Sequence, residues 1–216
     1  MSDRPTALIV DWGGVLTSPM ASAIADWLAG EGISLEAYTR AMRDFRDPEL
    51  IELTSFDPIA ALEKGELKLA HFEELLAAKI AGYSDTPVVA EGLMGRMFTG
   101  FAAAPTMVNV VRRAKARGLK TALLSNSWGN DYLRDDWDVI FDAVVISGEV
   151  GMRKPDADIF RHTLALLDVQ PAAAVFVDDM EPNVRGAAAV GMIGVHHVSY
   201  SRTLLELEAV FGIELG

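Results

Sequence analysis

The stretch Ala7-Leu-Ile-Val-Asp-Trp-Gly-Gly14 decides the fold: four apolar residues run without a break into an aspartate and a pair of glycines. An unbroken apolar run of this length, rather than an alternating one, suits a strand covered on both faces, as in parallel sheets. The same pattern returns at Leu119–Leu124, Ala143–Ile146 and Ala174–Val177, and more weakly from Met192 to Val198. Helical stretches lie between these runs. Pro105 opens one that Gly118 closes, with Met107, Val108, Val111 and Ala114 on one face. Proline just inside the start and glycine just past the end is the expected asymmetry of a helix. Pro155 opens another through Ile159, Phe160, Leu164 and Leu167, and Glu181-Pro182 begins an alanine-rich third that ends at Gly191. Strands alternating with helices predict βαβ units with right-handed crossovers. The expected class is therefore α/β, a Rossmann-like, mostly parallel sheet with helices on both faces.

Residues 19–95 break the rhythm. They read as amphipathic helices with no convincing strand, for example Ala70–Ile80 after the Lys64-Gly65-Glu66 turn. A helical block inserted directly after the first strand would lie over the carboxyl ends of the strands, where open α/β sheets bind ligands. The expected organisation is a core of residues 1–18 and 96–216 carrying a small helical cap, residues 19–95.

Composition narrows the function. Half of the 216 residues are apolar and 23% are charged, enough for a sizeable core. A net charge of −12 argues against a nucleic-acid partner, whose phosphates reward clustered Lys and Arg. It leaves room for an anionic small molecule, because a metal or a local cation can reverse the field inside one pocket. The absence of cysteine removes disulfides, thiolate catalysis and Cys-based zinc sites. No basic, apolar leader and no run of about 18 apolar residues is found, so no membrane association and a cytoplasmic location are expected. A monomer and a homodimer are equally compatible with this surface.

Four polar groups fall where apolar runs stop: Asp11 with Gly13 and Gly14, then Ser125-Asn126, then Lys154 before Pro155, then Asp178-Asp179. Taken singly each has an ordinary structural reading. An aspartate after a strand is commonly a turn former, Ser-Asn can cap the next helix, and a lysine before proline can be a solvated loop charge. The adjacent carboxylates at 178 and 179 are harder to explain so, because partly buried like charges repel unless a cation is present. A hard divalent ion such as Mg²⁺ answers that need with oxygen ligands. Since parallel strand ends in one sheet converge, all four groups can share one site.

The residue types suit phosphoryl transfer. A carboxylate at Asp11 can attack phosphorus and form an acyl phosphate, dividing one hard hydrolysis into two easier steps. A metal and Lys154 would neutralise the charge of nucleophile and phosphate. The Ser125 hydroxyl, with backbone N–H groups nearby at Asn126 and Gly14, can hold phosphate oxygens. The glycines allow a tight turn, so that a carbonyl at Gly13 can face the metal.

With these segments in view, the sequence resembles the haloacid dehalogenase-like (HAD) hydrolase superfamily, in its subgroup with a helical cap after the first motif. The resemblance rests on Leu8-Ile-Val-Asp-Trp-Gly-Gly-Val-Leu-Thr17, Leu123-Leu-Ser-Asn126, Gly151-Met-Arg-Lys-Pro-Asp156 and Val175-Phe-Val-Asp-Asp179 with Asn183 just beyond. It implies Asp11 as nucleophile and metal ligand, a metal-facing carbonyl at Gly13, Ser125 and Lys154 on the phosphoryl group, and Asp178 and Asp179 completing a Mg²⁺ site. The implied substrate is a small phosphorylated metabolite. Most phosphatases of this superfamily carry a second aspartate two residues after the nucleophile as general acid and base; here that position is Gly13. The Asp-x-Gly-(Gly/Asn)-Val form resembles sugar-phosphate phosphatases and the phosphatase-like domains joined to epoxide hydrolases or acyl-CoA dehydrogenases. It predicts a preference for good leaving groups, such as anomeric sugar phosphates, or an acid lent by the cap, for which His71, Asp44 and Glu66 are candidates. A catalytically silent binding protein of the same fold is the rival reading. Haloacid dehalogenation is a lesser one, since it would not require the paired acids.

Overall fold

The computed structural model describes residues 4–129, 132 and 134–216. Its β1 (Ala7–Val10) is wholly buried and lies at the centre of a five-stranded parallel sheet. β2 (Lys120–Ser125) and β4 (Ala174–Asp178) flank it, and β3 (Ala143–Ile146) and β5 (Ile193–His196) form the edges, in the order β3-β2-β1-β4-β5. The register pairs Val10 with Leu123 on one side and with Val177 on the other. Each strand matches an apolar run of the sequence to within a few residues. β2 and β4 extend one residue further, so that Ser125 and Asp178 are themselves the last strand residues.

Both faces of β1 are covered, which is why its apolar run does not alternate. Leu8 and Val10 pack with Met107, Val111, Leu207 and Phe211 on one side. Ala7 and Ile9 pack with Ile159, Phe160, Phe176 and Ala187 on the other. The first layer holds α7 (Pro105–Ala116) and the terminal α12 (Tyr200–Phe211); the second holds α10 (Ala157–Leu167) and α11 (Glu181–Ala189). Two single-turn helices, α8 (Trp137–Ile140) and α9 (Ser147–Val150), bracket β3. The α10 helix begins two residues later than the proline signal at 155 suggests. Pro155 follows a cis peptide bond, and Asp156 takes the position before the first helical residue.

Between β1 and α7 the chain makes six helices: α1 (Met20–Glu31), α2 (Leu35–Phe45), α3 (Pro48–Thr54), α4 (Pro58–Glu63), α5 (Leu69–Ala81) and α6 (Leu93–Phe98). They enclose a core of their own, in which Trp27, Phe45, Phe72, Leu76, Ile80 and Met94 meet. Burying each such side chain stabilises by about 1.5–3 kcal/mol, and that separate cluster lets the block hold together beside the sheet. α4 is started by the Asp57 side chain, which accepts from Ala60 N–H at 2.9 Å, with Pro58 at the first helical position. The connectors to and from the block run side by side: Ser18 N–H donates to Ala102 O (2.7 Å) and Ala104 N–H to Leu16 O (2.8 Å). That pairing lies past residue 95, where the hydrophobic pattern puts the return border, because α6 packs its Leu93, Met94 and Met97 into the helical cluster. Among the described residues no helix is long and apolar enough to cross a membrane.

Candidate active site

The sheet order reverses between β1 and β4: the chain winds outward through β2 and β3 on one side and through β4 and β5 on the other. Such a switch point leaves a crevice beyond the strand carboxyl ends, and the predicted residues gather there. Asp11 directly follows β1, and its N–H donates to Val177 O at 2.9 Å. Ser125 ends β2 and Asp178 ends β4. Lys154 reaches in from the loop between α9 and α10 and is 1% exposed.

Lys154 is the hub. Its Nζ lies 2.6 Å from Asp178 Oδ2 and 2.9 Å from Asp11 Oδ1, while the ammonium sits 5.4 Å from the centre of the Phe176 ring below it. Burial acts to lower the lysine pKa, but the charges of Asp11 and Asp178 outweigh it and hold the group above its ordinary value. Asp178 is saturated: Oδ1 accepts from Met180 N–H (2.8 Å) and Asn183 Nδ2 (3.1 Å), and Oδ2 from Lys154 and Asn183 (3.1 Å). Oδ1 of Asp11 accepts from Trp12 N–H at 2.7 Å as well as from Lys154, and Oδ2 has no hydrogen-bond partner among the described residues.

Three carboxylates meet here. Asp11, Asp178 and Asp179 each present an oxygen, all within 4.8 Å of one another. Burial, reinforced by Asp178 and Asp179 and opposed by Lys154, pushes the Asp11 carboxyl up to about 7. Burial and the neighbouring Asp178 likewise raise Asp179 to about 6. One ammonium does not offset three carboxylates, and Oδ1 of Asp179 is buried without a hydrogen-bond partner among the described residues. An orphaned anionic oxygen is costly, and its position beside two other carboxylates fits a divalent cation with oxygen ligands. The residues present therefore fit magnesium.

The remaining predicted residues take different parts. Gly14, at φ 69°, donates its N–H to Thr17 Oγ1 at 2.9 Å, so that amide is engaged in the local turn. Asn126 is tied to the Lys154 backbone in both directions, donating Nδ2 to its carbonyl (3.0 Å) and accepting its N–H (2.9 Å). Ser125 Oγ lies 2.9 Å from the hydroxyl of Tyr132, whose ring meets Trp12 edge-on. Beside Gly13, a side-chain β-carbon would be 3.3 Å from the Met20 sulfur, so a thioether of α1 fills the space next to that position. Of the candidate cap acids, Asp44 is engaged by the Tyr83 hydroxyl (2.5 Å) and Lys79 (3.4 Å), and His71 and Glu66 are exposed.

Sequence reasoning assigned no role to Asn183 and overlooked Tyr132 and Glu63. Asn183 lies one turn after the acidic pair on α11, a spacing that could have been read as support for it. Tyr132, seven residues beyond Ser125, and Glu63, the last residue of α4, carry no local signal for the contacts they make.

Comparison with known proteins places the chain in a family. A sesquiterpene phosphatase, astK, of Aspergillus oryzae is 36% identical over 111 residues, covering 49% of this chain and 56% of that protein. Acyl-CoA dehydrogenase family member 10 of Mus musculus is 28% identical over 97% of this chain and 19% of its own length. The chain thus spans about half, or much less, of these curated relatives. Among solved structures, a HAD family enzyme from Bacteroides thetaiotaomicron in complex with magnesium and inorganic phosphate superposes with a TM-score of 0.56 at 20% identity, covering 89% of this chain and 93% of that one. A dehalogenase with an intermediate complex superposes with a TM-score of 0.65 at 19% identity, covering 99% and 100%. Such identities show a shared fold. A family model described as haloacid dehalogenase-like hydrolase matches residues 5–191, which contain every group gathered at the sheet's switch point, and the chain belongs to that family.

Proposed function

We propose that this hydrolase is a magnesium-dependent phosphatase acting on a small phosphorylated metabolite through an aspartyl phosphate on Asp11. The observation that carries the reading is the buried Asp11–Lys154–Asp178 chain, at 2.9 and 2.6 Å, with the unpartnered Asp179 oxygen beside it. A nucleophilic carboxylate, a fixed cation and a vacant anionic oxygen are the parts phosphoryl transfer needs.

Asp11 Oδ2 is the attacking atom: its bond to phosphorus forms as the ester P–O bond breaks and the alcohol departs, and water then cleaves the phosphoryl–Asp11 bond to release inorganic phosphate. With Oδ1 held by Trp12 N–H and Lys154, the carboxylate presents its other oxygen toward the crevice. Lys154 balances the charge that accumulates as nucleophile and phosphoryl group approach, and Phe176 and Asp178 hold its Nζ in place. The Ser125 hydroxyl, oriented by Tyr132, is placed to hold a phosphoryl oxygen. Asn126 positions the Lys154 backbone rather than touching phosphate with its side chain. Asp11, Asp179 and the Gly13 carbonyl would hold the metal, with Asp178 behind them keeping Lys154 and Asn183 in register. The bound ion would supply the positive charge that keeps Asp11 and Asp179 ionised at neutral pH and shields the incoming phosphate.

The leaving group receives no proton from position 13, and Met20 occupies the adjoining space. A general acid is typically worth about 10²–10⁴ in rate, so substrates that leave without one are favoured, anomeric sugar phosphates among them. Two phosphatase relatives bear the names of unlike substrates, a sesquiterpene in astK and glyceraldehyde 3-phosphate in a Methanopyrus kandleri protein 30% identical over 141 residues. The common element is the phosphoryl group.

The test is phosphate release from a broad panel of phosphate esters with Mg²⁺, with Asp11→Asn as control. Release that requires Mg²⁺ and disappears in Asp11→Asn is expected, together with a phosphoryl-enzyme trapped by acid quenching. Activity surviving in Asp11→Asn would overturn the mechanism. Complete inactivity of the wild type, with no trapped phosphoryl-enzyme, would instead favour a binding protein of the same fold.

A further inference from the structure

The helical cap sends one buried carboxylate into the catalytic loops. Glu63, the last residue of α4, is 6% exposed, and its carboxylate meets side chains of the loops after β2 and α9. Its Oε1 accepts from Trp128 Nε1 at 2.8 Å. Its Oε2 lies 2.6 Å from Arg153 Nε, and the two atoms have no other partner among the described residues. The Glu63 carbonyl accepts from Ser147 Oγ at 2.5 Å, and the same hydroxyl accepts the Ser127 N–H at 2.7 Å. Two residues on, Gly65 adopts φ 74° with its α-carbon so close to Gly148 that a β-carbon there would lie 2.7 Å from the Gly148 carbonyl. The Glu63 corner is therefore seated against the β2 loop, the start of α9 and the Arg153-Lys154 segment at once.

Those three segments carry the site. Trp128 follows Ser125-Asn126 by two residues, and Arg153 is the neighbour of Lys154. Asn126 closes the circuit, since its side chain holds the Lys154 backbone in both directions. Burial raises the Glu63 pKa against the opposing effects of Arg153, Trp128, Lys154 and Asn126, so the carboxylate senses the catalytic lysine as well as its direct partners. Glu63 and Arg153, 8% and 23% exposed in their side chains, are not a solvent-screened surface pair. What the pair provides is geometry, because a buried ion pair tolerates few arrangements.

We propose that Glu63 is a positioning residue, through which seating of the cap orders Lys154 and the Ser125–Asn126 loop for phosphoryl transfer. The inference rests on the phosphatase reading above. It assigns to the cap a part in assembling the chemistry, beyond covering it. When Glu63 is docked, Arg153 and Trp128 are both fixed, and Lys154 cannot leave the line between Asp11 and Asp178. When the cap lifts, Arg153 loses its counter-charge and the lysine segment loses its outer tether.

The experiment compares wild type, Glu63→Gln, Glu63→Ala, Arg153→Ala and the Glu63→Ala/Arg153→Ala double variant with p-nitrophenyl phosphate and Mg²⁺. Rates are expressed per phosphoryl-enzyme site counted by acid quenching. Misplacing a catalytic group by a small distance can lower a rate by about 10²-fold. The expected result is a fall in kcat per site of about 10- to 100-fold in Glu63→Ala, with KM little changed. Glu63→Gln, which keeps the Trp128 contact and the shape, should recover part of the loss. The double variant should be no slower than either single, since both break one link. Unchanged kcat per site in Glu63→Ala, or losses that multiply in the double variant, would overturn the proposal. Hydrogen exchange in the full chain supplies a readout independent of turnover. Faster exchange in Glu63→Gln across 123–128 and 150–156 supports the link, and exchange raised only in the cap refutes it. A wild type that neither hydrolyses the ester nor forms the phosphoryl-enzyme marks failure of the phosphatase reading itself, and the exchange result then still decides whether Glu63 orders these loops.

Discussion

Gly14 and Asp179 occupy adjoining space so closely that a β-carbon on Gly14 would overlap the Asp179 carboxylate. The absence of a side chain at 14 therefore makes room for the Asp179 carboxylate: Oδ2 is the atom such a carbon would strike, and Oδ1, on the same carboxylate, is the buried oxygen without a hydrogen-bond partner among the described residues. Gly14 also holds φ 69°, a conformation that disfavours other residues by about 1–2 kcal/mol.

From this contact, Gly14→Ala should damage metal binding more than folding. The Asp179 carboxylate must rotate out of its place, and displacing such a supporting contact weakens a metal site by about 10- to 100-fold. Titrating Mg²⁺ against thermal stability would measure it. The metal-free melting temperature should fall by about 2–8 °C, from the strain in φ. An unaltered Mg²⁺ midpoint would show that Asp179 is not a ligand.

Stability of the metal-free protein should depend on pH in a stated direction. Asp11 is raised to about 7 and Asp179 to about 6, both from an ordinary value of 3.8. A carboxyl whose folded pKa is raised binds its proton more tightly when folded. Its stabilising contribution is therefore complete below about pH 4 and is lost as pH rises through 6 to 7. Melting curves from pH 4.5 to 8 in chelator should show that decline after allowance for other groups, and Asp179→Asn should flatten it. At pH 7.5, Mg²⁺ at about a hundredfold over its dissociation constant should raise the melting temperature by about 5–10 °C. No stabilisation by Mg²⁺ at that pH would remove the metal from the site.

Lys154→Met should abolish turnover and also destabilise the fold. It leaves Asp178 fully buried without its counter-charge, and breaking a buried pair from one side costs about 3–5 kcal/mol. The rate should fall by at least about 10². Lys154→Arg should not rescue it, because a planar guanidinium does not fit between oxygens 2.6 and 2.9 Å from one nitrogen. Recovery of the wild-type rate by arginine would mean that Lys154 supplies charge without geometry.

Gly13→Asp tests the missing acid. The backbone there is not left-handed, and the nearest obstacle is the end of the flexible Met20 side chain. The variant should fold, and it should speed hydrolysis of alkyl phosphates, by up to about 10²–10⁴, while aryl phosphates gain little. A linear free-energy plot of rate against leaving-group pKa should become shallower. A slope already shallow in the wild type, and unchanged in Gly13→Asp, would show that an acid already acts.

Much of this molecule is readable from local pattern. Unbroken apolar runs ending in Asp11, Ser125 and Asp178 mark parallel strands, because a strand buried on both faces needs no alternation. Once the strands are parallel, their carboxyl ends must converge, so residues more than 160 positions apart could be placed in one site without coordinates. The helical insert is legible too, through its 3.6-residue periodicity and lack of β-branched runs.

Contacts between segments that share no periodicity were decided only by the tertiary structure. Asn126 is expected to offer its backbone N–H to phosphate; its side-chain amide has a separate use that the sequence does not reveal, holding the Lys154 backbone in both directions. Asp178 and Asp179 are adjacent in sequence but opposite in state, one saturated by Lys154 and Asn183, the other left with a bare oxygen. Glu63 sits at the end of a six-residue helix that local pattern cannot distinguish from any other acidic surface turn, until docking against Arg153 and Trp128 buries it. Hydrophobic periodicity is a property of neighbours along the chain, and so it specifies elements. The partner of a buried charge is chosen by whichever distant loop arrives beside it, and only the packed structure contains that choice.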